Sequence, residues 1–104
     1  MIDARQHVIG KYAGYDDEAI TVVAVAIGLT ASKLASDPRP KKVIITCETA
    51  QIRYRISGSD PTSSVGHLMS PLDSLVLEGF SQLNLFKAIR VGSTSASLYV
   101  TYLR

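Results

Sequence analysis

The chain has 104 residues, 46% of them apolar and 19% charged, with a formal net charge of +2 at pH 7. That length forms one domain burying roughly two-thirds of its unfolded surface, so a core holds without metal or disulfide, and the apolar content excludes an intrinsically disordered segment. The 11 basic residues are scattered among 9 acidic ones, which excludes the dense cationic stripe of a nucleic-acid binder, and no run approaches the roughly 20 apolar residues of a spanning helix.

Residues 1–19 carry Gly10, Tyr12, Gly14, Tyr15 and the acidic run Asp16-Asp17-Glu18 with no sustained period, and read as an irregular N-terminal arm. The opening Met1-Ile2-Asp3-Ala4-Arg5 lacks the apolar stretch of a signal peptide, which predicts synthesis in a cytoplasm. From residue 20 to 104 β-branched residues gather in short runs separated by Gly, Pro, Ser and Asp, the pattern of an all-β domain. The first strand is predicted over 20–27, with a helix as the alternative for 24–34. Asp37-Pro38-Arg39-Pro40 then interrupts regular structure, because each proline lacks an amide donor and restricts the residue before it.

Strands are predicted over 42–48 and 51–57. In the second, Ile52, Tyr54 and Ile56 alternate with Gln51, Arg53 and Arg55, giving one buried and one wet face. Residues 58–64 form a long turn, followed by strands over 65–69, 73–78, 85–91 and 96–103, with Gly92-Ser93-Thr94-Ser95 as a hairpin turn between the last two. Tyr99 and Tyr102 fall on opposite faces of the last strand, so one of them points outward. Seven or so strands without a helix long enough for a crossover predict an antiparallel β-sandwich over 20–104, jelly-roll or immunoglobulin-like.

Chemistry is sparse. A nucleophilic serine needs a base and oxyanion donors, yet the histidines are His7 in the arm and His67 after Gly66, and no Gly-x-Ser-x-Gly elbow occurs. Asp60, Ser63 and Ser64 beside His67 have ordinary loop composition. Cys47, in Val43-Ile44-Ile45-Thr46-Cys47, reads as a small core hydrophobe, and Asp16-Asp17-Glu18 lacks the alternating spacing of a calcium loop. Gly58, Gly66, Gly79 and Gly92 sit singly at strand ends and serve turns. No catalytic, cofactor-binding or metal site is predicted. The candidate partner-binding residues are Arg53 and Arg55, a forked pair on one wet face, and Tyr12 and Tyr15, aromatics on a polar segment that gain little unless they dock.

The run Ala50-Gln51-Ile52-Arg53-Tyr54-Arg55-Ile56-Ser57-Gly58-Ser59-Asp60-Pro61-Thr62, with Val65-Gly66-His67-Leu68, Asp73-Ser74-Leu75-Val76-Leu77-Glu78-Gly79, Phe86-Lys87-Ala88-Ile89-Arg90-Val91-Gly92 and a last strand through Ala96-Ser97-Leu98-Tyr99-Val100-Thr101-Tyr102, resembles a family of small virion-associated structural proteins of tailed bacteriophages. The resemblance covers roughly residues 42–103. It implies a non-enzymatic β-sandwich of the virion, made in the host cytoplasm and placed as a cement or decoration protein on the capsid surface. Its implied partner is the major capsid protein; separately, the low charge fraction and the surplus apolar residues at both ends of the chain predict pairing with copies of itself, as a homodimer or homotrimer, and no nucleic-acid or membrane partner is predicted. The alternatives are a phage tail or receptor-binding component, or a carbohydrate-associated module, since Ser57-Gly58-Ser59-Asp60-Pro61-Thr62 is also similar to a hairpin of small sandwich modules appended to glycan-degrading enzymes.

Overall fold

A computed structural model describes residues 12–104, so His7 and the start of the expected arm lie outside the described residues. The elements run β1 (Gly14–Val22), β2 (Ile27–Gly28), α1 (Ala31–Leu34), β3 (Lys42–Glu48), β4 (Ile52–Arg55), β5 (His67–Met69), β6 (Ser74–Glu78), α2 (Phe80–Leu85), β7 (Lys87–Arg90) and β8 (Ala96–Leu103). The strands form two four-stranded sheets, β1-β8-β3-β6 and β2-β7-β4-β5, and every pairing is antiparallel. The fold is all-β and sandwich-like.

Strand periodicity builds the core. Ala96, Leu98, Val100 and Tyr102 of β8 point the same way and are buried, as are Val43, Ile45 and Cys47 of β3 and Ile20 and Val22 of β1. Ile52, Met69 and Ala88 of the second sheet join the same apolar cluster, with Leu83 of α2 and Phe86 closing one end. Cys47 is the expected core hydrophobe, and burial raises its thiol pKa.

Several expectations are corrected. Residues 14–19, read as arm, are the first part of β1; a register shift between Gly14 and Asp16 accommodates Tyr15, and the strand then pairs in step with β8 through Val22. Gly92-Ser93-Thr94-Ser95 is no hairpin turn, because β7 and β8 belong to different sheets and the segment carries the chain between them. Of the region left open to helix, only Ala31–Leu34 forms one, and α2 was not expected.

The alternation in β4 holds, with a difference in exposure. Ile52 is fully buried and Tyr54 is half-buried between the rings of Phe86 and His67, but Arg53 and Arg55 are half-buried rather than exposed. The β4–β5 connection folds back over their face. Arg53 donates from Nε to the Ser63 carbonyl at 3.2 Å and from Nη1 to the Gly66 carbonyl at 2.9 Å, while Lys87 pairs with Asp60 at 3.0 Å. Gly66 has φ +133, and a Cβ there would lie 3.0 Å from the Tyr54 carbonyl oxygen, so only glycine lets the connection lie this close.

Ile52→Asp is expected to lower stability by several kcal/mol, on the order of the whole folding free energy of such a domain, because a charge enters the core unpaired. Arg53→Ala is expected to cost about 1–2 kcal/mol by releasing the connection. Urea midpoints check both, and equal shifts would contradict the register of β4.

Candidate interaction surface

Of the aromatic and basic residues singled out from the sequence, Tyr12, Tyr15 and Arg53 are engaged by their own chain. Tyr12 lies 5.8 Å from the Lys42 ammonium, and Tyr15 packs against the core with the Arg104 guanidinium 3.8 Å from its ring. Both tyrosines thus sit against β3 and the end of β8. Arg53 is spent on loop carbonyls, and Arg55 stands opposite Lys87, whose charge Asp60 meets.

The three acids of the run take different partners. Asp16 pairs with Lys33 at 2.6 Å, a bond that lowers its carboxyl pKa and raises that of Lys33. The Asp17 carboxylate, as acceptor for the Tyr99 hydroxyl, raises that phenol's pKa, while Glu18 accepts from the Thr30 hydroxyl at 2.6 Å and from the buried Tyr102 hydroxyl. Among the described residues no three His, Cys, Asp or Glu side chains gather to hold a metal. His67 stacks on Tyr54 with ring centroids 5.3 Å apart, and Asp60 gives its carboxylate to Lys87. A cleft of about 460 Å³ beside α1 and α2 is lined by Leu29, Leu34, Arg39, Phe80, Asn84 and Lys87 among others, and Arg39 lies 4.5 Å over the Phe80 ring. That lining brings two cations and no carboxylate.

A different surface emerges from the connections. The strand orders place four of them side by side at one end of the sandwich: residues 23–26, 91–95, 49–51 and 70–73. Neighbouring connections are stitched together. Arg90 N–H donates to the Val23 carbonyl at 3.1 Å, Val91 N–H to the Gln51 carbonyl at 3.3 Å, and Leu72 N–H to the Cys47 carbonyl at 2.9 Å. Within this row only Asp73 carries a charge, and Val25 and Leu72 stand 73% and 94% exposed.

Two residues of the row hold a positive φ without being glycine, Thr49 at +73 and Leu72 at +79, and of the two Leu72 is the exposed apolar one. Asp73 N–H closes a turn on the Ser70 carbonyl at 3.0 Å, with Pro71 and Leu72 as the central residues. Leu72 has φ +79, the second central position of a type II turn, where glycine or asparagine is the usual residue. The left-handed conformation costs a leucine roughly 1–2 kcal/mol. The Asp73 carboxylate, accepting from Ser70 N–H at 2.8 Å, helps hold it. An apolar side chain held at that cost and left in water contributes little to its own domain, which points to contact outside it. The sequence signal was present in Ser70-Pro71-Leu72-Asp73, a turn with leucine where glycine fits.

Leu72→Gly is therefore expected to leave the thermal midpoint unchanged or raise it, corresponding to up to about 1 kcal/mol. A marked fall would mean that the side chain supports its own fold. A second outcome concerns pH. Burial and the Glu18 carboxylate hold the Tyr102 hydroxyl far above its ordinary value of 10.0, so the folded chain keeps this proton after the unfolded chain has lost it. That contribution is complete below pH 10 and is lost as the pH rises above it. Urea titrations are expected to show stability falling through the alkaline range, with a shallower fall in Tyr102→Phe.

Comparison of the chain with protein-family models, with curated proteins and with solved structures finds no match.

Proposed function

We propose that the domain is a jelly roll serving as a non-enzymatic structural protein of a tailed-bacteriophage particle, bound to the assembled head as a cement or decoration protein. The observation that supports the jelly-roll part of this reading is the strand order. Every connection except β4–β5 passes from one sheet to the other, and the resulting orders, 1-8-3-6 beside 2-7-4-5, support two Greek keys wound into a double sheet. Viral capsid proteins use that architecture, as do lectins and cupins, and the choice of a virion role rests on the sequence resemblance.

Two further features support the structural reading. The segments that resemble virion-associated proteins coincide with β4, the connection pinned by Arg53, β5, β6, β7 and β8, and are thus the body of the sandwich. Leu72, an exposed apolar side chain held at positive φ, is suited to contact with another protein. The proposed partners are the major capsid protein in its assembled lattice and a second copy of this chain.

A quantitative mass-spectrometric census of purified particles tests the proposal. The chain is expected in proportion to the major capsid protein, and the full-length protein is expected to bind expanded empty heads while ignoring isolated capsid subunits. A handful of copies per particle would assign it to the tail, and absence from particles would overturn the virion reading. The share of the N-terminal segment is best tested by Tyr12→Ala in the full chain, because a truncation near Glu18 would cut through β1 and remove its pairing with the end of β8.

A further inference from the structure

The last strand of the first sheet, β6, has β3 as its neighbour on one side, and among the described residues no strand pairs with the other side. Hydrogen-bond parity shows which groups that open edge presents. Cys47 N–H donates to the Asp73 carbonyl and Gly79 N–H to the Lys41 carbonyl, so residues 73, 75, 77 and 79 turn their backbone groups toward β3. Ser74, Val76 and Glu78 therefore turn theirs outward. Glu78 N–H confirms the direction, being met from the open side by the Gln82 amide oxygen at 3.4 Å.

The edge is self-complementary. Ser74-Leu75-Val76-Leu77-Glu78 laid antiparallel against itself about Val76 sets Ser74 against Glu78 and Leu75 against Leu77, and no like charges oppose. It also lacks the devices that blunt free edges: it has no lysine, no proline and no bulge. The other edges are poorer. A two-fold about Asp17 in β1 would set Asp16 against Glu18, β2 has two residues, and β5 has three.

We propose that a second copy of this chain pairs with β6, antiparallel and about a two-fold axis at Val76, joining two sheets into one of eight strands. About six backbone hydrogen bonds form, with Glu78 N–H leaving Gln82 for the second copy's Ser74 carbonyl. The same operation carries the exposed Leu72 toward the second copy's Gly79 and Phe80, at the start of α2. It thereby gives the strained leucine a cover that its own domain does not provide. A two-fold interface of this kind is isologous and closes at the dimer. The inference does not depend on the virion reading, since it concerns the free protein.

Sedimentation or light scattering of the full chain at micromolar concentration and above is expected to give twice the 11.2 kDa of one copy. Val76→Lys sets two like charges on the axis and is expected to weaken association at least about tenfold, while Asp17→Lys on the opposite edge leaves the dimer intact. Amide exchange on the unaltered protein decides the matter even if Val76→Lys fails to fold. The Val76 N–H is expected to exchange fast when dilute and to become protected as the dimer forms. A single-copy mass throughout, a Val76→Lys protein that remains dimeric, or a Val76 amide that exchanges fast within a dimer would each overturn the proposal.

Discussion

The inward rows of β3 and β8 are the constraint on which the rest of the sandwich depends. These two strands lie at the centre of the first sheet, paired from Lys42↔Leu103 to Glu48↔Ser97, and their alternate side chains are almost wholly removed from water. One face of a sheet cannot be buried by its own sheet, so an apolar row of this length demands a second layer. The chain supplies it by changing sheets at nearly every connection, which brings Ile52, Met69 and Ala88 over the row. Those crossings put four short connections at one end and leave the longer ones, with α1, α2 and the segment pinned by Arg53, for the other end.

Much of this was legible where a residue's neighbours in sequence decide its environment. The alternation of Ile52, Arg53, Tyr54 and Arg55 gave the core-facing side, with Ile52 buried and Tyr54 and Ile56 half-buried against the core, but missed that the arginines are half-buried too; the β-branched run at 42–48 matches β3 without a shift. What was not legible depended on partners distant in sequence. Gly92-Ser93-Thr94-Ser95 announces a reversal of the chain, but a reversal between two sheets and one within a hairpin use the same residues. β1 was concealed by Asp16-Asp17-Glu18, which look unlike strand until Lys33, Thr30, Tyr99 and Tyr102 are brought beside them. The helix α2 carries Phe80 and Leu83 at helical spacing, too short a signal to stand out from a strand-rich chain.

The candidate surface was obscured for a related reason. Two guanidinium groups on one strand face resemble a binding fork, and in the fold the β4–β5 connection lies over that face with Arg53 holding it there. Charge on a strand edge marks protection as often as recognition: the acids of β1 oppose self-pairing at that edge, whereas β6 is left without such a guard. The difference between the two edges lies in residues that are chemically unremarkable one by one. Leu72 is informative through its φ, a property of the turn that no side-chain inventory contains.

The two proposals bear on one another through symmetry. A two-fold at Val76 runs perpendicular to the first sheet, because paired residues on an axis project their side chains to one side. Both copies then present the outward rows of that sheet in a single direction, with Ala19, Tyr99, Thr46 and Ser74 in one cross-strand row of each copy. On the proposed virion reading, a broad face doubled by symmetry suits a lattice that repeats, since two modest contacts held at fixed spacing bind far more tightly than either alone when the geometry lets both engage. Isolated subunits offer one such contact at a time, and an assembled shell offers pairs. Preference for assembled particles would then follow from the spacing of the two faces, without any rearrangement of the sandwich itself.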